Sequence, residues 1–255
     1  SGKTIGIIGG GNVGQKVAAI AGILGMKTLI CDPPRAEAEG DEFFACNEHL
    51  LAHADIVTLH VPLLPDTFHL ANAEFFGQMC PGTVFINTSR GEVVDQNALK
   101  AAIKAGKVGH AVLDVWEHEP EIDRELLDMV NIGTPHIAGY SQDGKPMGTQ
   151  ISIRGLAAHF KLDALRDFAV SGLPAPVNGS RIVIPPGVDP IRYAVNCSYN
   201  LAADDALLRA DVDHFEKIRE NYRLRREFAA YTIANAGGET KNILQQLGFD
   251  TCTTR

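Results

Sequence analysis

The chain is poor in the residues that build cross-links and metal clusters. Its 255 residues include five cysteines, at 31, 46, 80, 197 and 252, an odd and scattered set with no Cys-x-x-Cys pair. That pattern argues against a disulfide framework and offers no zinc-ligand spacing, so no metal is expected and a reducing cytoplasm is the expected setting. Excess positive charge is also missing: 23 Lys and Arg stand against 31 Asp and Glu, a formal net charge of −8. Nucleic acid and anionic membrane surfaces are therefore not expected partners, since both call for clustered cations. No apolar run reaches the length needed to span a bilayer, and no signal-peptide pattern is visible. Internal repeats and low-complexity tracts are absent too. What remains is an ordinary globular composition, 45% hydrophobic, in a length suited to one large or two modest domains.

The stretch from Thr4 to Asp32 carries the strongest local signal. A short apolar run ends at Gly9, and glycines fall at 9, 11 and 14, in the spacing G-x-G-x-x-G. Gly9 suits a tight turn, Gly11 lets backbone N–H groups approach a pyrophosphate, and Gly14 lets the next helix lie close on the strand. The helix that begins here would point its positive end at the phosphates. Val13, Val17, Ile20, Ala21 and Leu24 recur at helical spacing and predict one apolar face, and Gly25 suits the helix stop. A second strand ends at Asp32, where a carboxylate can accept hydrogen bonds from an adenosine ribose. Its charge would repel a 2′-phosphate, so the expected cofactor is NAD rather than NADP. Arg35, just beyond, reads as a solvated loop residue.

Strands and helices then alternate. The sequence predicts a polar loop over 33–41, a short helix over 46–51, a strand over 55–61 stopped by Pro62, and a helix over 73–79. A buried strand follows over 83–87, then a helix over 96–105 capped by Asp95 and ended by Gly106, and a strand over 110–114. Asp123 caps a helix to Met129, and a last short strand covers 131–133. This alternation implies an α/β fold, a Rossmann doubly wound parallel sheet with right-handed crossovers. A helix over 146–162, with Ile151, Ile153, Leu156, Ala157 and Phe160 on an apolar side, leads to the linker Leu173-Pro174-Ala175-Pro176. Beyond it the sequence predicts a small α+β C-terminal domain: a strand over 181–184, helices over 190–209 and 213–226, a strand over 229–234 and a helix over 240–247. The expected domains are 1–145, 146–172 as a helix and linker, and 173–255. The acidic run 202–206 and the basic run 223–226 read as solvated helix faces.

Ligands of open α/β sheets bind beyond the carboxyl ends of the strands. The unusual polar residues fall at those ends: the glycine loop, Asp32, His60, Asn87 to Gly91, Asp114 and His136. Three fit one reaction. Arg90 offers a planar fork for a substrate carboxylate. His136 is suited to exchange a proton with a hydroxyl. Glu119 is suited to hold the other imidazole nitrogen and favour the charged ring. Beside a nicotinamide this set would remove a hydroxyl proton while the adjacent carbon gives up hydride. Asp114 either binds the nicotinamide amide or caps a loop.

Gly9-Gly10-Gly11-Asn12-Val13-Gly14, Asn87-Thr88-Ser89-Arg90-Gly91, Leu113-Asp114-Val115-Trp116-Glu117-His118-Glu119-Pro120 and Thr134-Pro135-His136-Ile137-Ala138-Gly139-Tyr140 resemble the D-isomer-specific 2-hydroxyacid dehydrogenases. The resemblance implies Arg90, Glu119 and His136 as the catalytic set. It implies NAD contacts at Gly9, Gly11, Asn12, Val13, Gly14, Asp32, Pro62, Thr88, Ser89, Asp114 and Gly139, and substrate contacts at Arg90, His136 and Tyr140. Cys31-Asp32-Pro33-Pro34-Arg35, Leu113-Asp114-Val115-Trp116, the short gap from Glu119 to His136 and the run from His136 to Lys145 further resemble the branch that oxidises 4-phospho-D-erythronate in pyridoxal 5′-phosphate synthesis. So does the tail, through Ala203 to Arg209 and Phe215 to Tyr222. That branch implies a small phosphorylated hydroxy acid as substrate and a homodimer formed through the C-terminal domain. The alternatives are a glycerate or phosphoglycerate dehydrogenase, or a non-catalytic NAD-sensing protein. In this family most of the substrate domain precedes the glycine loop, which here follows Ser1-Gly2-Lys3. The expectation is that this chain binds NAD and turns over poorly or not at all.

Overall fold

The computed structural model describes residues 2–222 and 225–252. Six parallel strands form one sheet: β1 Thr4–Ile8, β2 Lys27–Cys31, β3 Ile56–Leu59, β4 Thr83–Asn87, β5 Val108–Leu113 and β6 Ile132–Gly133. Between them lie α1 Asn12–Ile23, α2 Pro33–Glu39, α3 Asn47–His53, α4 Ala73–Gln78, α5 Gln96–Lys104 and α6 Arg124–Met129. The rest of the chain adds α7 Gly144–Phe160, β7 Arg181–Ile182, α8 Pro190–Ser198, α9 Leu201–Ala210, α10 Phe215–Glu220, β8 Thr232–Ile233, α11 Gly238–Gln246 and β9 Asp250–Thr251.

The strand order of the large sheet is β2-β1-β3-β4-β5-β6. The chain winds one way to β2 and the other way from β3, so the switch point lies between β1 and β3, where a doubly wound sheet opens a ligand crevice. Its strands are apolar on both faces, as a parallel sheet covered by helices requires. On one side Val57, Leu59, Phe85 and Leu113 pack with Leu50 and Leu51 of α3, Phe75 and Phe76 of α4, Leu99 of α5 and Leu126 of α6. On the other, Ile5 and Ile7 meet Ala21 and the partly buried Val17 of α1. Local chemistry sets the helix ends. Asn72, Asp95 and Asp123 each accept backbone N–H groups of the first turn. Gly25 and Gly106 follow α1 and α5 at φ 70° and 71°, a conformation that a side chain disfavours.

The chain packs as two compact units, residues 1–138 with 202–221, and residues 139–201 with 222–255. The second unit holds a three-stranded parallel sheet, β7-β8-β9, over a small core of Ile182, Ala194, Tyr231, Ile233, Leu244 and Phe249. Arg226 clamps Asp143 within this unit, with Nε and Nη2 on the two carboxylate oxygens at 2.8 and 2.9 Å.

Several sequence expectations are revised. The loop expected over 33–41 contains α2, because Asp32 Oδ1 caps it by accepting the Arg35 N–H and Pro33 and Pro34 occupy its first turn. The helix expected over 190–209 is two helices. Tyr199 is extended, and the Ser198 carbonyl accepts the Tyr231 hydroxyl at 3.0 Å instead of continuing the ladder. The helix expected over 213–226 is a 3₁₀ turn at Val212–His214 followed by α10; Arg223 and Leu224 lie outside the described residues. The expected apolar faces of α1 and α7 are only partly covered. Val13 is 59% exposed, while Ile151, Leu156 and Phe160 are each more than half exposed.

The acidic run 202–206 is not simply solvated. Asp205 accepts the Gly133 N–H at 2.7 Å and the Arg209 Nε at 3.0 Å, and Arg209 donates to the Leu127 and Val130 carbonyls at 2.6 and 2.9 Å. The pair thus satisfies an edge-strand donor on β6 and acceptors at the end of α6, which explains why 202–221 groups with the first unit.

Candidate active site

Three glycines shape the turn from β1 into α1, and they are needed for different reasons. Gly9 has φ 95°, and a Cβ there would lie 2.5 Å from the His60 carbonyl oxygen. A Cβ on Gly14 would lie 2.0 Å from the Gly9 carbonyl oxygen. Gly11 has nothing within 4 Å, so no protein atom demands a glycine there. Its small size instead keeps open the approach to the start of α1, where among the described residues no side chain caps the helix. Asn12 and Val13 are exposed on that first turn. Residues of this kind fit a dinucleotide: Gly11 and the first turn of α1 would receive the pyrophosphate, and Asp32 the ribose.

Asp32 is half-buried and anchors the loop, with Oδ2 accepting the Gly10 N–H at 2.8 Å. Arg35 is not the solvated loop residue expected. From the first turn of α2 its guanidinium donates to the Gly10 carbonyl and, through Nε and Nη2, to both Glu39 oxygens at 2.7 and 2.6 Å. The i, i+4 spacing of Arg35 and Glu39 was the available signal, and it is legible only once 33–39 is known to be helical. Behind the loop, His60 sits near Thr58, with Nε2 and Oγ1 3.0 Å apart, and burial holds its pKa below the ordinary imidazole value.

A second cluster forms at the carboxyl ends of β4, β5 and β6. Asn87 ends β4, and its side chain organises the turn that follows. Its Oδ1 accepts the Ser89 N–H and hydroxyl at 2.9 and 2.7 Å, and its Nδ2 donates to the Arg90 carbonyl at 2.9 Å. Ser89 is therefore buried and committed to the turn, whereas Thr88 is half-buried and Arg90 exposed. Among the described residues the Arg90 guanidinium makes one hydrogen bond, from Nη1 to the Ser89 carbonyl at 2.6 Å. Gly91 packs against the next strand's loop so closely that a Cβ would lie 2.0 Å from the Trp116 carbonyl.

Trp116 connects this turn to the imidazole. Its backbone N–H donates to Glu119 Oε1 at 2.9 Å, and its indole N–H to the Thr134 carbonyl at 2.9 Å. The other Glu119 oxygen lies 2.8 Å from His136 Nδ1. A carboxylate is an acceptor only, so Nδ1 carries the hydrogen and Nε2 is the nitrogen left for a ligand. The two side chains are 19% and 27% exposed, enough for a small molecule to reach them. Asp114 holds the loop that carries His136. Buried, it accepts the Thr134 hydroxyl at 2.6 Å and the Ile137 and Ala138 N–H groups at 2.8 and 2.9 Å, while its own carbonyl takes the His136 N–H at 2.7 Å. These bonds hold His136 at φ 57°.

Glu119 and His136 are therefore in direct contact, and Arg90 is tied to them through Gly91 and Trp116. Pro62 follows β3, its carbonyl accepting the Thr67 hydroxyl at 2.6 Å. Gly139 and Tyr140 belong to the second unit, where Lys145 Nζ lies 4.3 Å from the centroid of the Tyr140 ring. A second imidazole–carboxylate contact, His69 Nε2 to Glu117 Oε1 at 2.8 Å, was not anticipated. It has no local sequence signal, because the partners are 48 residues apart. Among the described residues there is no cluster of metal-ligating side chains, and no helix is long and apolar enough to cross a membrane.

Comparison with known proteins bears on the family of the chain. Residues 1–138 match the D-isomer specific 2-hydroxyacid dehydrogenase NAD binding domain, and residues 188–248 match a domain of unknown function. The chain is 44% identical over 234 residues to the erythronate-4-phosphate dehydrogenase of Bacteroides thetaiotaomicron, which covers 90% of the chain and 65% of that protein. It is 40% identical over 262 residues to that of Escherichia coli, covering 97% of the chain and 68% of the relative. The chain thus spans about two thirds of the length of the curated relatives it matches. Among solved structures, a D-lactate dehydrogenase from Aquifex aeolicus complexed with NAD and lactic acid is similar at 30% identity and TM-score 0.53. It covers 65% of this chain and 55% of its own. A glyoxylate reductase from Paecilomyes thermophila is similar at 31% identity and TM-score 0.55, covering 62% of this chain and 49% of its own.

Proposed function

The chain belongs to the D-isomer-specific 2-hydroxyacid dehydrogenases, and from that premise we propose that it serves the NAD-dependent oxidation of 4-phospho-D-erythronate to (R)-3-hydroxy-2-oxo-4-phosphooxybutanoate. Arg90 grips the substrate carboxylate with its exposed guanidinium. His136 takes the C2 hydroxyl proton at Nε2, and Glu119 holds the ring and stabilises the imidazolium that forms. NAD, when bound, supplies the acceptor for the C2 hydride. Gly9, Gly11, Asn12, Val13, Gly14 and Asp32 hold its adenosine diphosphate half, with Pro62, Thr88 and Gly139 along the remainder; Ser89 shapes the turn that presents Thr88. Asp114 acts on the site through the loop it caps.

The observation that carries this reading is the 2.8 Å contact between Glu119 and His136, braced by the Trp116 N–H on the same carboxylate. A phosphorylated substrate is favoured by the erythronate-4-phosphate dehydrogenases to which 90–97% of the chain is similar. The reading extends to a cytoplasmic homodimer joined through residues 173–255, working in pyridoxal 5′-phosphate synthesis, with Tyr140 as a further substrate contact. The test is a substrate panel on the full-length protein, read as NADH absorbance. 4-Phospho-D-erythronate is expected to give the highest kcat/KM. Preference for D-glycerate, 3-phosphoglycerate or D-lactate would replace the substrate assignment, and NAD binding without turnover of any of them would favour a sensor.

A further inference from the structure

The carboxyl end of β2 decides which dinucleotide the crevice accepts, and three charged side chains meet there. Asp32 faces the glycine loop and accepts the Gly10 N–H at 2.8 Å. Arg35 is the nearest cation to that carboxylate in sequence, and its own backbone N–H donates to Asp32 Oδ1 at 3.2 Å. In dinucleotide folds a guanidinium in this neighbourhood is what accommodates a 2′-phosphate. By composition alone, Asp32 and Arg35 would pull the choice in opposite directions.

The geometry shows how the conflict is resolved. Glu39, at the last position of α2, takes both Nε and Nη2 of Arg35 in a bidentate pair at 2.7 and 2.6 Å. The remaining arm, Nη1, is turned onto the Gly10 carbonyl, and the guanidinium lies 5.3 Å from the Phe44 ring centroid. Each arm of the fork is thus occupied by one of the protein's own groups. Pairing with Glu39 also holds the Arg35 charge in place and keeps the Glu39 carboxyl below its ordinary pKa.

We infer that Glu39 is a cofactor-selecting positioning residue: by gripping Arg35 it withholds from an adenosine 2′-phosphate the guanidinium beside Asp32, and so reinforces the choice of NAD over NADP. The inference rests on the NAD reading proposed above and assigns the selection to a residue that need not touch the cofactor. Asp32 excludes the 2′-phosphate by repulsion, and Glu39 excludes it by removing the compensating charge. The two effects act through different groups, so their removal is expected to be additive only while Arg35 is present.

The test is calorimetric titration of NAD and NADP into the wild-type chain, Glu39→Ala, Asp32→Ser, the Asp32→Ser/Glu39→Ala double variant, and the same double variant with Arg35→Ala. Circular dichroism checks that each is folded. The ratio Kd(NADP)/Kd(NAD) is expected to fall about tenfold on adding Glu39→Ala to Asp32→Ser, the size of one charge-assisted hydrogen bond. Arg35→Ala is expected to abolish that gain. The inference is overturned if the ratio is unmoved by Glu39→Ala in both backgrounds, or if the gain survives without Arg35. Failure of the wild-type chain to bind NAD at all would instead overturn the underlying cofactor reading, and this inference with it. A Glu39→Gln variant, which keeps the shape and loses the charge, should move the ratio in the same direction as Glu39→Ala; no movement would count against the role of charge.

Discussion

Adding one methyl group at Gly14 or at Gly11 separates what the glycine loop does for the fold from what it does for a ligand. At Gly14 the new Cβ would lie 2.0 Å from the Gly9 carbonyl oxygen, more than 1 Å inside ordinary contact, which begins near 3.4 Å. Both atoms are fixed to backbone, so no side-chain rotation relieves the overlap and α1 must move off β1. Overpacking of this kind costs about 1–3 kcal/mol, and backbone-on-backbone contact belongs at the upper end. Alanine returns roughly 1 kcal/mol through its helix propensity. The net is a loss of about 2 kcal/mol, or a Tm lowered by about 4–8 °C at this chain length. Gly11 is the contrast. Its Cβ would meet nothing within 4 Å, and the backbone there has φ −67°, which alanine adopts freely. Gly11→Ala should therefore shift Tm by no more than about 2 °C, the cost of a poorer N-cap. Both variants should weaken NAD binding by about 100-fold, Gly14→Ala by displacing the loop and Gly11→Ala by filling the approach. Thermal melting and calorimetric titration of the two proteins side by side read both quantities. Equal melting temperatures for Gly14→Ala and wild type, or unimpaired NAD binding by Gly11→Ala, would refute the reasoning.

Two further expectations concern stability. Arg226→Ala should destabilise the second unit by about 2–4 kcal/mol, because it strands a largely buried Asp143 carboxylate; amide exchange at Thr232 and Ile233 of β8 is the readout. Burial raises the Asp143 pKa, but the Arg226 pair and the Glu227 N–H outweigh it, leaving a net depression below 3.8. Its contribution is therefore present above that pH and lost as pH falls through the depressed value, a dependence that Arg226→Ala should flatten. His60 works in a higher range. Burial lowers its folded pKa below 6.5, so the unfolded chain takes up the proton first and stability should decline as pH falls below about 6.5. Urea midpoints across pH 5–8 would show this slope, and His60→Gln should remove it.

Much of the first unit was legible because its signals are local. The spacing of Gly9, Gly11 and Gly14, the caps at Asp95 and Asp123, and the apolar run 83–87 each depend on neighbours within a turn or a strand, and the structure follows them closely. The gathering of Arg90, Glu119 and His136 on one rim was legible for a topological reason: parallel strands all end on one edge, so residues just past β4, β5 and β6 must converge. What escaped depends on distant partners. The end of α8 is set by Tyr231, 33 residues away from Ser198, and the role of Asp205 is set by an N–H of Gly133, 72 residues earlier. The role of Arg35 was hidden because Pro33-Pro34 reads as a breaker in isolation, whereas directly after an Asp cap it starts a helix. Asp114 was legible as a candidate loop cap, but its partners were not, since Thr134, Ile137 and Ala138 follow 20 or more residues later in a segment without periodicity.

The central claim is that His136, held by Glu119, moves the substrate proton beside bound NAD. Its most direct test is a rapid-mixing measurement of NADH formation from saturating NAD and 4-phospho-D-erythronate by full-length wild-type protein and His136→Asn, with NAD affinity measured in parallel. NADH formation should fall by at least about 100-fold in His136→Asn while the NAD Kd changes by less than about threefold. NADH formation by His136→Asn at close to the wild-type rate would contradict the account.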